Sequence, residues 1–528
     1  MRRSRPWLPW LPLWLGIVGG TALLVRLPGP SLLDPDEHAA VLYFDHLAHG
    51  RRLEELLLSS PKPLLTLVYG LAWTLTHDWR AVTALTVAAF ALALTALARA
   101  TARLAGAPAA VAVVLALAGS GALVLQAARG NSLIWALAGW AVAAEALSRR
   151  RRRWGVAGAA LLLASLARAE SWLLLPPAAL LGLIAGRRGE RRALLLLVPL
   201  AAPLLWLGHD LALAGDPWYS LRIPERYTDV VSGRQVVPPA AWLAQTGRRY
   251  AGEPLLAALA VVGVAWLWRR RAWLWLVGLG VVVVGVLDLL GIQAWRGTYV
   301  SFRYFDPPDA GVRVLAALGA AWVVVAVGAL LRRVGGERWR AAAGVAASGP
   351  LGVTVAAVLV VAACWPLAPG DPGVRSTLDS GRRSSRSTAM AVRALRPVVR
   401  APGSVVVVSG PQRQRIALEL GLPLPRVRDL YLATLTQPLD RALSGTVAVF
   451  HDDEGDRPPD RFAQLAATAP ARVGDLQVTP LLVDPGRGVY VLDVAPGLIQ
   501  THVARADGSA AVPGTRRHPL DVAAEPSD

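Results

Sequence analysis

The chain has 528 residues, 54% of them hydrophobic, a formal net charge of +19 and one cysteine. That apolar share exceeds the roughly 45–50% of ordinary soluble domains and excludes a small soluble enzyme, and the single Cys364 excludes an intramolecular disulfide. The arginines fall in short clusters at 2–5, 149–153, 187–192, 269–271 and 332–340, between long apolar runs, so the charge reads as cytoplasmic loops under the positive-inside rule and not as a nucleic-acid surface.

A basic start followed by an apolar stretch at 8–25 reads as a retained signal anchor with its N-terminus inside. It delivers residues 26–62 to the outer face. Three carboxylates, Asp34, Asp36 and Glu37, come at once, followed by an amphipathic helical pattern that contains Tyr43. Next is SSPKPLL, whose Lys62 is the only lysine; every other basic residue apart from histidine is arginine. Under such a bias a surviving lysine marks either chance or a place that needs a compact, strongly hydrated point charge instead of a planar fork. The apolar segment 63–76 is short for ~30 Å of hydrocarbon and is expected to lie along the outer face, which keeps every arginine cluster inside.

Further apolar runs at 81–100, 107–125, 133–147, 156–166, 172–185, 193–211, 254–268, 273–290, 312–331 and 344–364 bring the expected count, with the anchor, to about eleven spans. The first outer loop (26–80), the turns near Arg129 and Arg168, the loops 214–253 and 291–311, and everything after about 365 then face outward. In the last region SVVVVSGP, GTVAVFHDD, LQVTPLLVD and GVYVLDVAP read as short strands, and RQRIALELGL and DRFAQLAATA as helices. The expected architecture is an α-helical polytopic membrane domain (1–366), a C-terminal extracytoplasmic α/β domain (367–498) and a polar tail (499–528).

The chemistry-bearing residues gather at the outer face. Asp34, Asp36 and Glu37 read either as a general base held over a lipid-borne substrate or as solvated interfacial acids. Arg168 and Glu170 form a charged turn, functional or a structural ion pair. Arg303 and Tyr304 precede a span and suit a headgroup anchor or a phosphate contact. Asp288, near the end of a span, is left without a role. His38, His46 and His49 match no metal-ligand spacing and read as a solvated helix face. SGPQRQ is too weak for a nucleotide motif.

The acidic pair after the first span, Tyr43 six positions on, and Lys62-Pro63 opening a short helix resemble the GT-C superfamily of polytopic glycosyltransferases. The pattern is most similar to the lipid A aminoarabinose transferases and the protein O-mannosyltransferases. Leu64 stands where the family usually doubles the proline. ARAESW resembles an Arg-Pro-Glu motif with Ala169 for the proline, Gly215–Pro217 resembles a Gly-Asp-Pro loop, and Arg303-Tyr304 resembles a late-loop Arg-Tyr that meets the donor phosphate. Asn131 and Ser132 occupy the turn where several relatives carry a second Asp.

The resemblance implies a multi-pass plasma-membrane enzyme. It would move a sugar from a polyprenyl-phosphate donor to a glycan, glycolipid or protein acceptor on the outer face, without nucleic acid. Asp36 and Glu37 would be catalytic. Lys62, Arg303, Tyr304 and Arg168 would contact the donor phosphate, and Asp34, Tyr43 and Glu170 would support the acceptor. A divalent cation (Mg or Mn) could assist, but no ligand set stands out. A non-catalytic membrane assembly or lipid-binding protein and a lipid-linked solute transporter stay open as alternatives.

Overall fold

The structure is a computed structural model that describes residues 35–53, 59–228, 236–298, 300, 302–334, 350–364, 372–399, 405–409, 413–429, 445–450, 472–473, 476–484 and 489–494. The expected anchor at 8–25, Asp34, the helix-like stretch 460–469 and the tail 499–528 lie outside the described residues.

The helices are α1 (Pro35–Ala48), α2 (Pro63–Thr76), α3 (Trp79–Ala105), α4 (Ala107–Ala118), α5 (Gly121–Ala128), α6 (Ser132–Leu147), α7 (Trp154–Ala167), α8 (Leu175–Arg187), α9 (Ala202–Ala214), α10 (Tyr219–Tyr227), α11 (Pro239–Ala251), α12 (Pro254–Arg269), α13 (Trp273–Gly280), α14 (Val286–Trp295), α15 (Asp306–Val334), α16 (Pro350–Cys364), α17 (Pro372–Leu395) and α18 (Arg413–Leu420). Tighter 3-10 stretches, Ala169–Leu174 and Arg191–Ala201, lead into α8 and α9.

Among the described residues five stretches are long and apolar enough to cross a membrane: Trp79–Ala105, Ala169–Arg187, Arg191–Ala214, Trp273–Trp295 and Asp306–Leu330. Two bent pairs add to these, α4 with α5 at 64° and α11 with α12 at 100°. The remaining expected segments, α6, α7 and 352–363, are apolar helices of less than that length, as is α2. On α2, Leu67, Leu71 and Leu75 are exposed at four-residue spacing, while Leu65, Tyr69 and Ala72 are buried. One face therefore packs inward and the other is an apolar stripe suited to lipid.

Burying apolar surface gains little between helices that are already surrounded by lipid, so close backbone approach has to supply the attraction. The sequence meets this need with small residues. A Cβ at Gly319 would collide with the Leu259 carbonyl, and one at Gly263 with the Leu315 carbonyl, so α12 and α15 touch backbone to backbone. The α6–α7 pair does the same at Gly139, where a Cβ would sit 2.6 Å from the Ala160 carbonyl oxygen. At one end of the bundle Glu145 takes Arg103 (2.8 Å) and Arg149 (2.7 Å), so one carboxylate answers two guanidinium groups there, and Glu190 accepts from the Trp154 indole (3.0 Å).

At the opposite end sits a six-stranded mixed sheet of order β2-β1-β3-β6-β5-β4, with β1 (Val406–Ser409), β2 (Val427–Asp429), β3 (Gly445–Phe450), β4 (Arg472–Val473), β5 (Leu476–Asp484) and β6 (Val489–Val494). β1 pairs in parallel with β2 and β3, and the other pairings are antiparallel. All four expected strand segments and the α18 helix form. Helix α1 is wedged between the two parts. Its Ala39, Leu42 and Tyr43 join a core with Leu395, Val406 and Ile416, and its Ala40 and Val41 join another with Leu65, Tyr69 and Trp79. The Trp79 indole donates to Glu419 (3.2 Å), which also binds Arg415 (2.6 Å).

Gly319→Val forces this helix pair apart and is expected to cost at least about 1–3 kcal/mol, the scale of overpacking. Gly278→Val is the control, because a Cβ there meets nothing within 4 Å. Thermal unfolding in nanodiscs checks this: the first variant should melt several degrees lower and the second near wild type.

Candidate active site

Asp36 and Glu37 fall in the first turn of α1, where the helix dipole favours carboxylates. Seven residues on, Tyr43 shares a face with Asp36 and is fully buried. Burial, reinforced by Tyr219 and Asp36 nearby, pushes the Tyr43 phenol well above its ordinary pKa. It therefore keeps its proton and donates to the Ser59 carbonyl at 2.5 Å. Lys62 is the residue before α2. Pro63 at the first helical position fixes the entry and forces Lys62 into extended backbone (φ −125°, ψ 109°).

These placements bring the Lys62 Nζ to 3.9 Å from the Asp36 Oδ2, with both side chains 18% exposed. This is an ion pair too long for a hydrogen bond, so the ammonium keeps its donors for another acceptor. Lys62 also interacts electrostatically with Glu170 on the 3-10 turn before α8. Glu170 in turn takes the Arg168 fork through both oxygens, at 2.5 and 3.2 Å. Arg168 thus reaches the cluster as half of an ion pair.

The array continues past the residues that the sequence singles out. Arg168 feels Asp306, the buried first residue of α15, which accepts from the Gln126 amide at 2.7 Å. One turn on, Asp309 takes Arg249 (2.5 Å) and the Tyr250 hydroxyl (2.9 Å). Arg313, on the same face, is 1% exposed and interacts electrostatically with Glu253. Their spacing of three and four residues is the one signal that could have grouped Asp306, Asp309 and Arg313 on a helix face; nothing local pointed to Gln126 or Arg249.

Glu37 is fully buried and interacts electrostatically with Tyr69. Tyr69 bonds Thr86 (2.8 Å), accepts from the Trp135 indole (2.9 Å) and donates to the Gly130 carbonyl. In that turn Asn131 is committed as a helix cap, its side chain accepting from the Leu133 N–H at 2.9 Å. Tyr304 is half-buried and packs against the cluster of Trp242, Val286, Leu290, Ala294 and Phe305. Arg303 lies on the Phe302–Phe305 turn and its side chain falls outside the described residues, as does Asp34. Asp288 is exposed on α14.

One expectation needs correcting. His38 is 1% exposed and stacks edge-on against Trp79 at 4.4 Å, so it is a core residue and not part of a solvated face. His49 is exposed and pairs with Asp45. Among the described residues no group of three or more His, Cys, Asp or Glu side chains is placed to hold a metal ion. The described residues thus do not form a ligand set, and no step below runs through a metal.

No protein-family model matches the chain. No curated protein matches it either. Among solved structures it is similar to ArnT from Cupriavidus metallidurans in the apo state, with a TM-score of 0.49 and 15% identity over 92% of this chain and 98% of that one. The same protein bound to undecaprenyl phosphate gives a TM-score of 0.49 and 14% identity over the same shares. The Archaeoglobus fulgidus oligosaccharyltransferase in complex with Zn and sulfate gives 0.46 and 13% over 83% and 68%. The likeness to these structures extends over most of the chain. The functional reading rests on the side chains described above and not on this likeness.

Proposed function

We propose that this protein is a membrane glycosyltransferase that moves a sugar from a polyprenyl-phosphate donor to an acceptor hydroxyl at the outer face of the plasma membrane, by inverting single displacement. The observation that carries the reading is the Asp36–Lys62 pair: a carboxylate and an ammonium 3.9 Å apart and partly shielded from water, joined electrostatically to a second ion pair at Glu170 and Arg168.

Asp36 takes the proton of the acceptor hydroxyl as its oxygen attacks the anomeric carbon. The bond from that carbon to the phosphate oxygen breaks, and the electron pair leaves with the polyprenyl phosphate. Phosphate leaves readily, so no general acid is needed. The reaction requires cations where negative charge grows, and a preorganised, poorly hydrated site makes each one worth more than in water. Lys62 is assigned that role, and the Arg303-Tyr304 pair is assigned a supporting contact to the same phosphate. Arg168, compensated by Glu170, orients the charge without adding a full positive unit. Tyr43 holds α1 through the Ser59 carbonyl, and Glu37 or Asp34 supports acceptor placement. The C-terminal α/β domain covers one face of α1 and so shapes access to the base. A protein, glycolipid or glycan acceptor suits the site equally, and so does a donor bearing a hexose or a pentose.

Ionisable groups among the described residues of this site gather at one end of the bundle, which favours chemistry at a surface over passage along a membrane path. Asp36→Asn is expected to leave expression intact and to lower radiolabelled sugar transfer by roughly a hundredfold or more, the scale of losing a general base. Near-normal turnover would remove Asp36 from the role. Lys62→Arg keeps the charge but replaces a point charge with a fork. It is expected to recover only part of the activity lost in Lys62→Ala, whereas full recovery would make the lysine's identity incidental.

A further inference from the structure

Asp210 is completely buried near the C-terminal end of α9, and the mechanism above does not use it. A carboxylate out of water is costly unless hydrogen bonds compensate it. Here both oxygens serve one residue: Oδ2 accepts from the Ser220 backbone N–H at 2.8 Å and Oδ1 from the Ser220 hydroxyl at 2.7 Å. The His209 ring nitrogen, 3.5 Å from Oδ1, adds a marginal contact.

Ser220 holds the segment that carries Lys62. Its carbonyl accepts from the Ser60 hydroxyl at 3.2 Å, and its own hydroxyl lies 3.2 Å from the Pro61 carbonyl oxygen. The Ser59 carbonyl is gripped from the other side by Tyr43. Pro61 and Pro63 fix their own φ angles and hold Ser60 and Lys62 away from helical backbone. The strand 59–63 is therefore stiff within itself, and its position depends on where Ser220 and Tyr43 hold it.

We infer that Asp210 is a positioning residue: through Ser220 it fixes the Ser60–Pro61 backbone and so sets where the Lys62 ammonium meets a lipid-borne phosphate. The inference rests on the proposed role of Lys62. It deepens that reading by placing the determinant of donor-phosphate binding on α9 and α10, far along the chain from the acidic loop. An asparagine at 210 can keep the geometry, accepting from the Ser220 N–H through its oxygen and donating to the hydroxyl through its nitrogen, which turns the hydroxyl proton fully onto Pro61. An alanine cannot.

The test is undecaprenyl phosphate binding, with undecaprenol as the uncharged control, to the full chain in nanodiscs. The variants are Asp210→Ala, Asp210→Asn and Lys62→Ala, with Asp210→Ala also made in the Lys62→Ala background. Asp210→Ala should weaken undecaprenyl phosphate binding about tenfold, within the range of coupled neighbours. Asp210→Asn should return it to within about threefold of wild type, and the alanine effect should vanish once Lys62 is gone. If Asp210→Ala does not fold, Ser220→Ala removes the hydroxyl bridge alone and should show the same dependence on Lys62. Equal losses in both backgrounds, or no loss, would overturn the positioning role while the Lys62 reading stands. Unchanged binding in Lys62→Ala, or no preference of wild type for the phosphate over the alcohol, would overturn the parent reading and this one with it.

Discussion

Everything at the candidate site depends on α1 being buried on both sides. One face is packed into the membrane bundle through Ala40 and Val41, and the other through Ala39, Leu42 and Tyr43 into the core of the sheet with Leu395, Val406 and Ile416. A helix held on two faces cannot rotate, so Asp36 in its first turn has a fixed direction. The partner segment is fixed by different means. Two prolines and hydrogen bonds from opposite sides hold residues 59–63, and the Asp36–Lys62 pair is what remains when both restraints are satisfied. The sheet and the helices packed on it are therefore part of the structural support of Asp36, and the Trp79–Glu419 bond beside His38 ties them to the same spot.

The charges at this end alternate in sign from Asp36 to Lys62, Glu170, Arg168 and Asp306. Breaking a buried pair is expensive because it strands the remaining charge, so such an array resists piecemeal change. Alternation also localises the field. Arg168 is answered by Glu170 at 2.5 Å, whereas the Lys62 ammonium makes no hydrogen bond to Asp36 at 3.9 Å. An incoming anion is drawn most strongly where the compensation is loosest.

Much of this was legible in the sequence. Arginine clusters between apolar runs gave the helix boundaries, and the short strands after residue 405 were visible because β-branched runs ended in turn residues. Lys62 stood out by its solitude, and the Lys62-Pro63 step was read as the opening of a short helix. Arg168 and Glu170, two apart on a turn, could be read as a pair. What could not be read was tertiary. Asp210 meets Ser220 ten residues away, but Ser220 meets Pro61 from 159 residues away. Gln126 meets Asp306 from 180 residues away in the chain. His38 looked solvent-facing because the pattern around it could not show that Trp79 covers it. Burial by a partner from another part of the chain leaves no local trace.

The most direct test of the central claim is an experimentally determined structure of the protein with undecaprenyl phosphate. The account predicts the phosphate within about 3–4 Å of the Lys62 Nζ, as expected for a charge-assisted contact, with Asp36 facing the side from which an acceptor would approach. A phosphate bound at the arginine-rich end of the bundle, or held by groups that leave Lys62 paired with Asp36 alone, would contradict it.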